Sequence, residues 1–195
     1  MILTYNNKLA NLSGHLRDYS PSPIILPPFT LRLKFGDGIT PSFSKGTAVQ
    51  VLSSPNIWDL TYENTDWSFL LSDSNVRQVL AANSTGVTNM RGMFYQATVL
   101  TAVPILDTSS VTDMSIMFYT CTTLISEIPL YDTSNVTNMD EMFRECMFIK
   151  SGALALYRQA STQATVPSHY HTFLNCGRYT TTGAAELAQI PDSWK

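Results

Sequence analysis

His169 and His171 stand one residue apart, so on a strand both imidazoles would project from one face, which is half of a metal site. The sequence offers no third ligand beside them, and a loop ahead of a capping unit is the simpler place for the pair. Cys121, Cys146 and Cys176 would be nucleophiles only as thiolates. They fall at a repeat position that Ala97 fills in the first unit, which reads as a buried ladder of small side chains. Asp37, Asp59, Glu63 and Asp66 form the one acidic cluster near aromatics, and glycoside hydrolysis requires two carboxylates facing a cleft. Asp107 and Asp132 precede like-placed Thr-Ser pairs, where they would line a calcium row or, more simply, cap the backbone of a turn. Met90, Met93, Met114, Met117, Met139 and Met142 are soft donors, yet their spacing is that of a packed core. No set makes a catalytic centre. The expectation is a non-enzymatic chain with no cofactor and no metal.

These residues have to be positioned by something, and the sequence names it through self-similarity. VTNMRGMFYQA begins at Val87, VTDMSIMFYTC at Val111 and VTNMDEMFREC at Val136, a period of 24 and then 25. Leu100, Leu124 and Ile149 align beyond these blocks, as do Pro104 and Pro129. Met90, Met93, Phe94 and Ala97 lie at i, i+3, i+4 and i+7, and the pattern returns as Met114, Met117, Phe118 and Cys121 and as Met139, Met142, Phe143 and Cys146. That spacing predicts a short helix in each unit, with Asn89, Asp113 and Asn138 at the N-cap and Glu141 completing a capping box. LTAVPI from Leu100 and LISEIPL from Leu124 read as strands with one buried face. One unit buries too little to offset the entropy of fixing it, so the units must share a core. The predicted fold is therefore α/β, a short leucine-rich-repeat-like solenoid of helix–strand units with a β-rich N-terminal cap and an extended N-terminal arm. Phe94, Phe118 and Phe143 should form one buried column, with Ser115 on the surface.

The flanks complete four segments. Residues 1–28 read as an arm with a proline-rich linker, because PSPIILPPF holds Pro21, Pro23, Pro27 and Pro28. Ile2, Leu3, Tyr5, Leu9 and Leu12 are too apolar for a free tail, and they are the expected contacts with a partner. Residues 29–82 read as the cap, with TLRLKF and TAVQVLSS paired through the turn at Gly36 to Gly38, a strand at Trp58, Leu60 and Tyr62, and a short helix from Asp66 to Leu71. Residues 83–149 are the repeats. Residues 150–195 read as a degenerate fourth unit, in which Phe173 and Cys176 keep the repeat's spacing, with helices over Gly152 to Ala160 and Ala184 to Gln189.

Composition narrows the partners. Charged residues are 14% of the chain, against the roughly 25% of ordinary soluble domains, and the net charge is -3. That leaves no footprint for nucleic acid. No stretch approaches the roughly 20 apolar residues that cross a bilayer, so no membrane insertion is expected. MILTYNNKLANLSGHLRD lacks the basic start and apolar run of a secretory signal. Asn11, Asn83 and Asn135 match the glycosylation triplet, and two of the three triplets are composed of ordinary repeat or turn residues.

The pattern DTSxVTxMxxMFxxC, followed by L-x-x-x-P, resembles the BspA-like leucine-rich repeat family of surface proteins from Bacteroides and their phages. The resemblance covers Asn83 to Cys146 clearly and Lys150 to Lys195 weakly. It implies an adhesion or surface module and carries over no catalytic residue. TLRLKFGDGITPSFSKG leading into NIWDLTYENTDW is similar to the leader before such repeats in short phage-associated proteins. Taken together, these resemblances imply a virion structural protein on the phage surface. The arm would bind another virion protein, the repeats would meet a host surface protein or glycan, and a homo-oligomer stays open. The alternative they imply is a bacterial cell-surface adhesin fragment.

Overall fold

The computed structural model describes residues 24–195 other than 52, 53 and 73, together with the backbone of three short strands ahead of them, β1 (Leu3–Tyr5), β2 (Lys8–Ala10) and β3 (Leu16–Asp18). These pair antiparallel in the order β1-β2-β3 and, among the described residues, with no other strand. The register Tyr5↔Lys8 sets β1 and β2 side by side in opposite directions. An arm extended throughout is thereby corrected. The side chains of Ile2, Leu3, Tyr5, Leu9 and Leu12, the expected partner contacts, lie outside the described residues. Where the proline run ends, Leu26 is buried and its carbonyl accepts from Asn83 Nδ2 at 2.9 Å.

A second sheet follows, built from β4 (Thr30–Lys34), β5 (Thr47–Gln50), β6 (Ile57–Thr61) and β7 (Gln78–Asn83) in the antiparallel order β5-β6-β4-β7. Leu31 and Leu33 alternate with Arg32 and Lys34, so one face of β4 is fully buried and the other polar. Arg32 donates from Nε and Nη2 to the two carboxylate oxygens of Asp59, each at 2.7 Å, directly across the β4–β6 register. β4 and β5, expected as a hairpin, do not pair. Residues 35–46 are too long a link for a tight turn, and β4, with both leucines buried, takes a central place between β6 and β7.

The helix–strand solenoid is overturned. Among the described residues, no helix and no strand of more than one residue lies between β7 and α1 (Ala153–Ser161); the regular elements after β3 are the four-stranded antiparallel sheet, two α-helices and a short 3-10 turn. The 66–71 segment, expected as a helix, is turns as well. Each repeat is instead a run of turns joined to the next by a single parallel bridge, Asp66↔Asn89, Asn89↔Asp113, Asp113↔Asn138 and Asn138↔Ser168. Alternate amides divide their bonds. Met90, Gly92, Phe94 and Gln96 donate to Asp113, Ser115, Met117 and Tyr119 of the following repeat, each at 2.9 Å, while Met93, Tyr95 and Ala97 donate to carbonyls three residues back at 2.9–3.1 Å. LTAVPI and LISEIPL form no strand beyond the bridge Gln78↔Ala102.

Left-handed backbone makes this ribbon possible. Gly92, Ile116, Glu141 and His171 hold φ of 58°, 50°, 56° and 53° at one repeat position, and Gln96, Thr120, Glu145 and Asn175 hold 54°, 58°, 62° and 60° at another. Left-handed φ costs a non-glycine residue roughly 1–2 kcal/mol, a cost the hydrogen bonds to the next repeat offset. Glu141 therefore caps no helix; its carboxylate meets Arg144 at 2.6 Å. A sign inversion tests the ribbon. In a helix Thr120→Ala is more stable than Thr120→Gly by about 1 kcal/mol. At φ 58° the order reverses, and equilibrium denaturation should find the glycine variant more stable by about 1 kcal/mol.

The C-terminal end is closed by packing. α1 starts after Gly152, at φ 101°, where a Cβ would stand 2.5 Å from the Ile128 carbonyl oxygen. α2 (Thr181–Gln189) begins where Thr180 Oγ1 accepts from the Gly183 amide at 3.1 Å, and its Glu186 carboxylate accepts the amides of Gly152 and Leu154 at the start of α1. Trp194 then seals the last repeat: its carbonyl accepts from the Phe173 amide at 2.9 Å, and its ring stacks on His169 at 4.1 Å.

Candidate binding surface of the stacked turns

A run of turns in register sends like-placed side chains to like places, and the interior is filled that way. The rings of Phe94, Phe118, Phe143 and Phe173 stack at 5.2, 5.0 and 6.1 Å. Met90, Met93, Met114, Met117, Met139 and Met142 are fully buried around them. Cys121 Sγ donates to the Phe94 carbonyl at 3.1 Å, and Cys146 Sγ to the Phe118 carbonyl at 2.9 Å. Burial pushes the Cys146 and Cys176 thiols well above the ordinary range. All three cysteines are unpaired and buried, so thiol reagents should label them only as fast as the stack opens. Fast reaction of Cys121 in native buffer would contradict the packing.

The Asx residues expected as helix caps still cap, but in turns. Asn89 accepts from the Arg91 amide, Asp113 from Ser115 and Asn138 from Asp140, at 2.8–3.0 Å. In the last unit Ser168 cannot reach that far, and Asp140 of the preceding repeat serves the Tyr170 amide at 2.7 Å. Asp107 and Asp132 take the equivalent role for the amides of Ser109 and Ser134. Bonds from Ser109 and Thr85 hold Asp107 below the usual carboxylate range, and bonds from Ser134 hold Asp132 there. Among the described residues no three His, Cys, Asp or Glu side chains could hold a metal together.

The remaining chemistry-bearing sets are dispersed into separate roles. Asp59 is tied to Arg32, Asp37 accepts from Asn56 Nδ2 at 3.1 Å, and Asp66 accepts from the Ser68 amide. His169 Nδ1 meets the Pro167 carbonyl at 2.8 Å, whereas His171 packs against Tyr170 with ring centroids 3.8 Å apart.

Outside, the register produces rows. Tyr95 and Tyr119, both half-buried, stack at 5.2 Å, and the Arg144 guanidinium lies over the Tyr119 ring at 5.6 Å. Ile105 and Leu130, each following its repeat's proline, are 70% and 60% exposed. Ser115, expected outside, is buried at 1% because Arg91 lies over it and donates to its hydroxyl. Sequence reasoning missed a unit ahead of Val87, in which Thr65, Asp66 and Trp67 take the places of Thr88, Asn89 and Met90. It also missed β7 and the closing role of Trp194. The Thr-Asp-apolar triplet was the available signal for the extra unit.

A family model described as Mycoplasma protein of unknown function, DUF285, matches residues 64–166, from that extra unit to just before Ser168. No curated protein and no solved structure matches the chain.

Proposed function

This chain belongs to the DUF285 family, matched over more than half its length, and from that premise we propose that it is a non-enzymatic binding and display module. The finer reading is a BspA-like surface repeat carried on a phage particle, with the N-terminal residues held by another virion protein and the stacked turns facing a host surface protein or glycan. One observation carries the proposal. Among the described residues, Asp107, Asp113 and Asp132 serve Asx turns, Cys121 and Cys146 are buried thiols and Asp59 pairs with Arg32, while half-buried Tyr95 and Tyr119 stack and Ile105 and Leu130 stand exposed. Mass spectrometry of purified particles from the source tests it. The chain should copurify with the virion at fixed stoichiometry; recovery from the host cell envelope alone would favour a bacterial surface adhesin and overturn the virion reading.

A further inference from the structure

Three cavities open in succession where the sheet meets the first turns, and each shares a residue with the next. The first, of about 210 Å³, lies between residues 40–44 and residues 69–72, 74 and 75; the second, about 340 Å³, shares Asn75 with it; the third, about 170 Å³, shares Arg77 with the second. They form a row of neighbouring recesses whose lining changes from one to the next.

At the first end the described lining residues are uncharged and rich in hydroxyls. Phe43 and Phe69 supply aromatic surface beside Ser42, Ser44, Ser72 and Ser74. Ser74 Oγ is buried without a hydrogen-bond partner among the described residues, so a polar ligand group reaching it replaces a missing bond. At the other end Lys34, Arg77, Gln78 and Thr101 line the wall, with two cations and no acid. Backbone bonds hold that end in place: the Arg77 amide donates to the Lys34 carbonyl and the Thr101 amide to the Arg77 carbonyl, both at 2.8 Å. Between them Ile39 and Val99 are 40% and 37% exposed, and Asp37 disfavours an anion in the middle cavity.

We propose that this row of recesses binds an acidic oligosaccharide, with a sugar ring against Phe43 and Phe69 and a carboxylate or sulfate ester at Lys34 and Arg77. Sugars combine an apolar ring face with many hydroxyls, which the first cavity meets, and a paired cation site takes an oxyanion. A nucleic acid fits poorly with a chain of net charge -3. The inference rests on the binding-module reading and gives that module a ligand class.

Calorimetric titration of the full chain at low salt tests it with four probes: trigalacturonate, a sulfated carrageenan oligosaccharide, maltotriose and triglutamate. The acidic sugars should bind about tenfold or more tighter than maltotriose, and whichever acid binds better identifies the anionic group. Arg77→Gln should remove that advantage while leaving maltotriose unchanged, Lys34→Gln should act in the same direction, and Ser74→Val should weaken sugar binding of both kinds. Thermal melts of each variant report folding. Equal binding of acidic and neutral sugars, triglutamate binding as tightly as trigalacturonate, no heat from any probe, or an unaffected Arg77→Gln variant would each overturn the proposal. A silent titration with the chain still found on the virion removes the recesses' ligand and leaves the display reading standing.

Discussion

Phe118→Ala should destabilise the protein by about 3–5 kcal/mol, the largest loss expected from a single truncation in the repeats. Phe118 stands between two rings at 5.2 and 5.0 Å, with Tyr131 at 6.4 Å, and is fully buried. Removing it opens a void in the middle of the stack, where neighbours on both sides are already tied by bonds between repeats and cannot collapse inward. Glu127 is exposed on the same unit, and Glu127→Ala should cost under about 0.5 kcal/mol. Thermal and denaturant melts of the two variants give the comparison. Equal, small effects would mean that Phe118 is not in the column.

The repeat and its buried side chains were legible because register in sequence becomes register in space. Met90, Met93, Phe94 and Ala97 are buried where the period put them. The conformation was not legible, since two successive turns of three to four residues return to the same side at i, i+3, i+4 and i+7, as two turns of helix do. What separates them is the sign of φ and the destination of the amides. Gly92 marks one left-handed position in the first unit, but Ile116 and Glu141 occupy it in the next two, so residue type conceals the pattern. Long-range partners hid the sheet in a similar way: β4 is completed by β6 and β7, far along the chain, rather than by the strand next in sequence. Among the candidate sites, Asp107 and Asp132 followed the simpler account of a turn cap that their Thr-Ser sequence already allowed. The recesses had no sequence signal, because Lys34, Asn75 and Arg77 meet only once β4, β7 and the first turns are assembled.

Deleting residues 1–20 should abolish incorporation into the particle while leaving the melting temperature of the remainder nearly unchanged. Among the described residues β1, β2 and β3 pair only with one another, so their removal takes no strand pairing from the β5-β6-β4-β7 sheet. The stack keeps its own closures as well: Leu26 and its bond to Asn83 lie beyond the cut, and Trp194 seals the opposite end. Among the described residues β1 and β3 are the edges of the three-stranded sheet, and an edge strand can accept a strand from a neighbouring structural protein. Incorporation would then be lost without a loss of fold, a combination that a purely structural N-terminus does not produce. Particle assembly with the truncated chain, read by immunoblot beside a melt of the same purified variant, supplies both measurements. If the truncation incorporates normally, attachment lies elsewhere on the chain. If it instead lowers the melting temperature by on the order of 10 °C, the first strands belong to the stability of the sheet and the stack, and the docking role assigned to them fails.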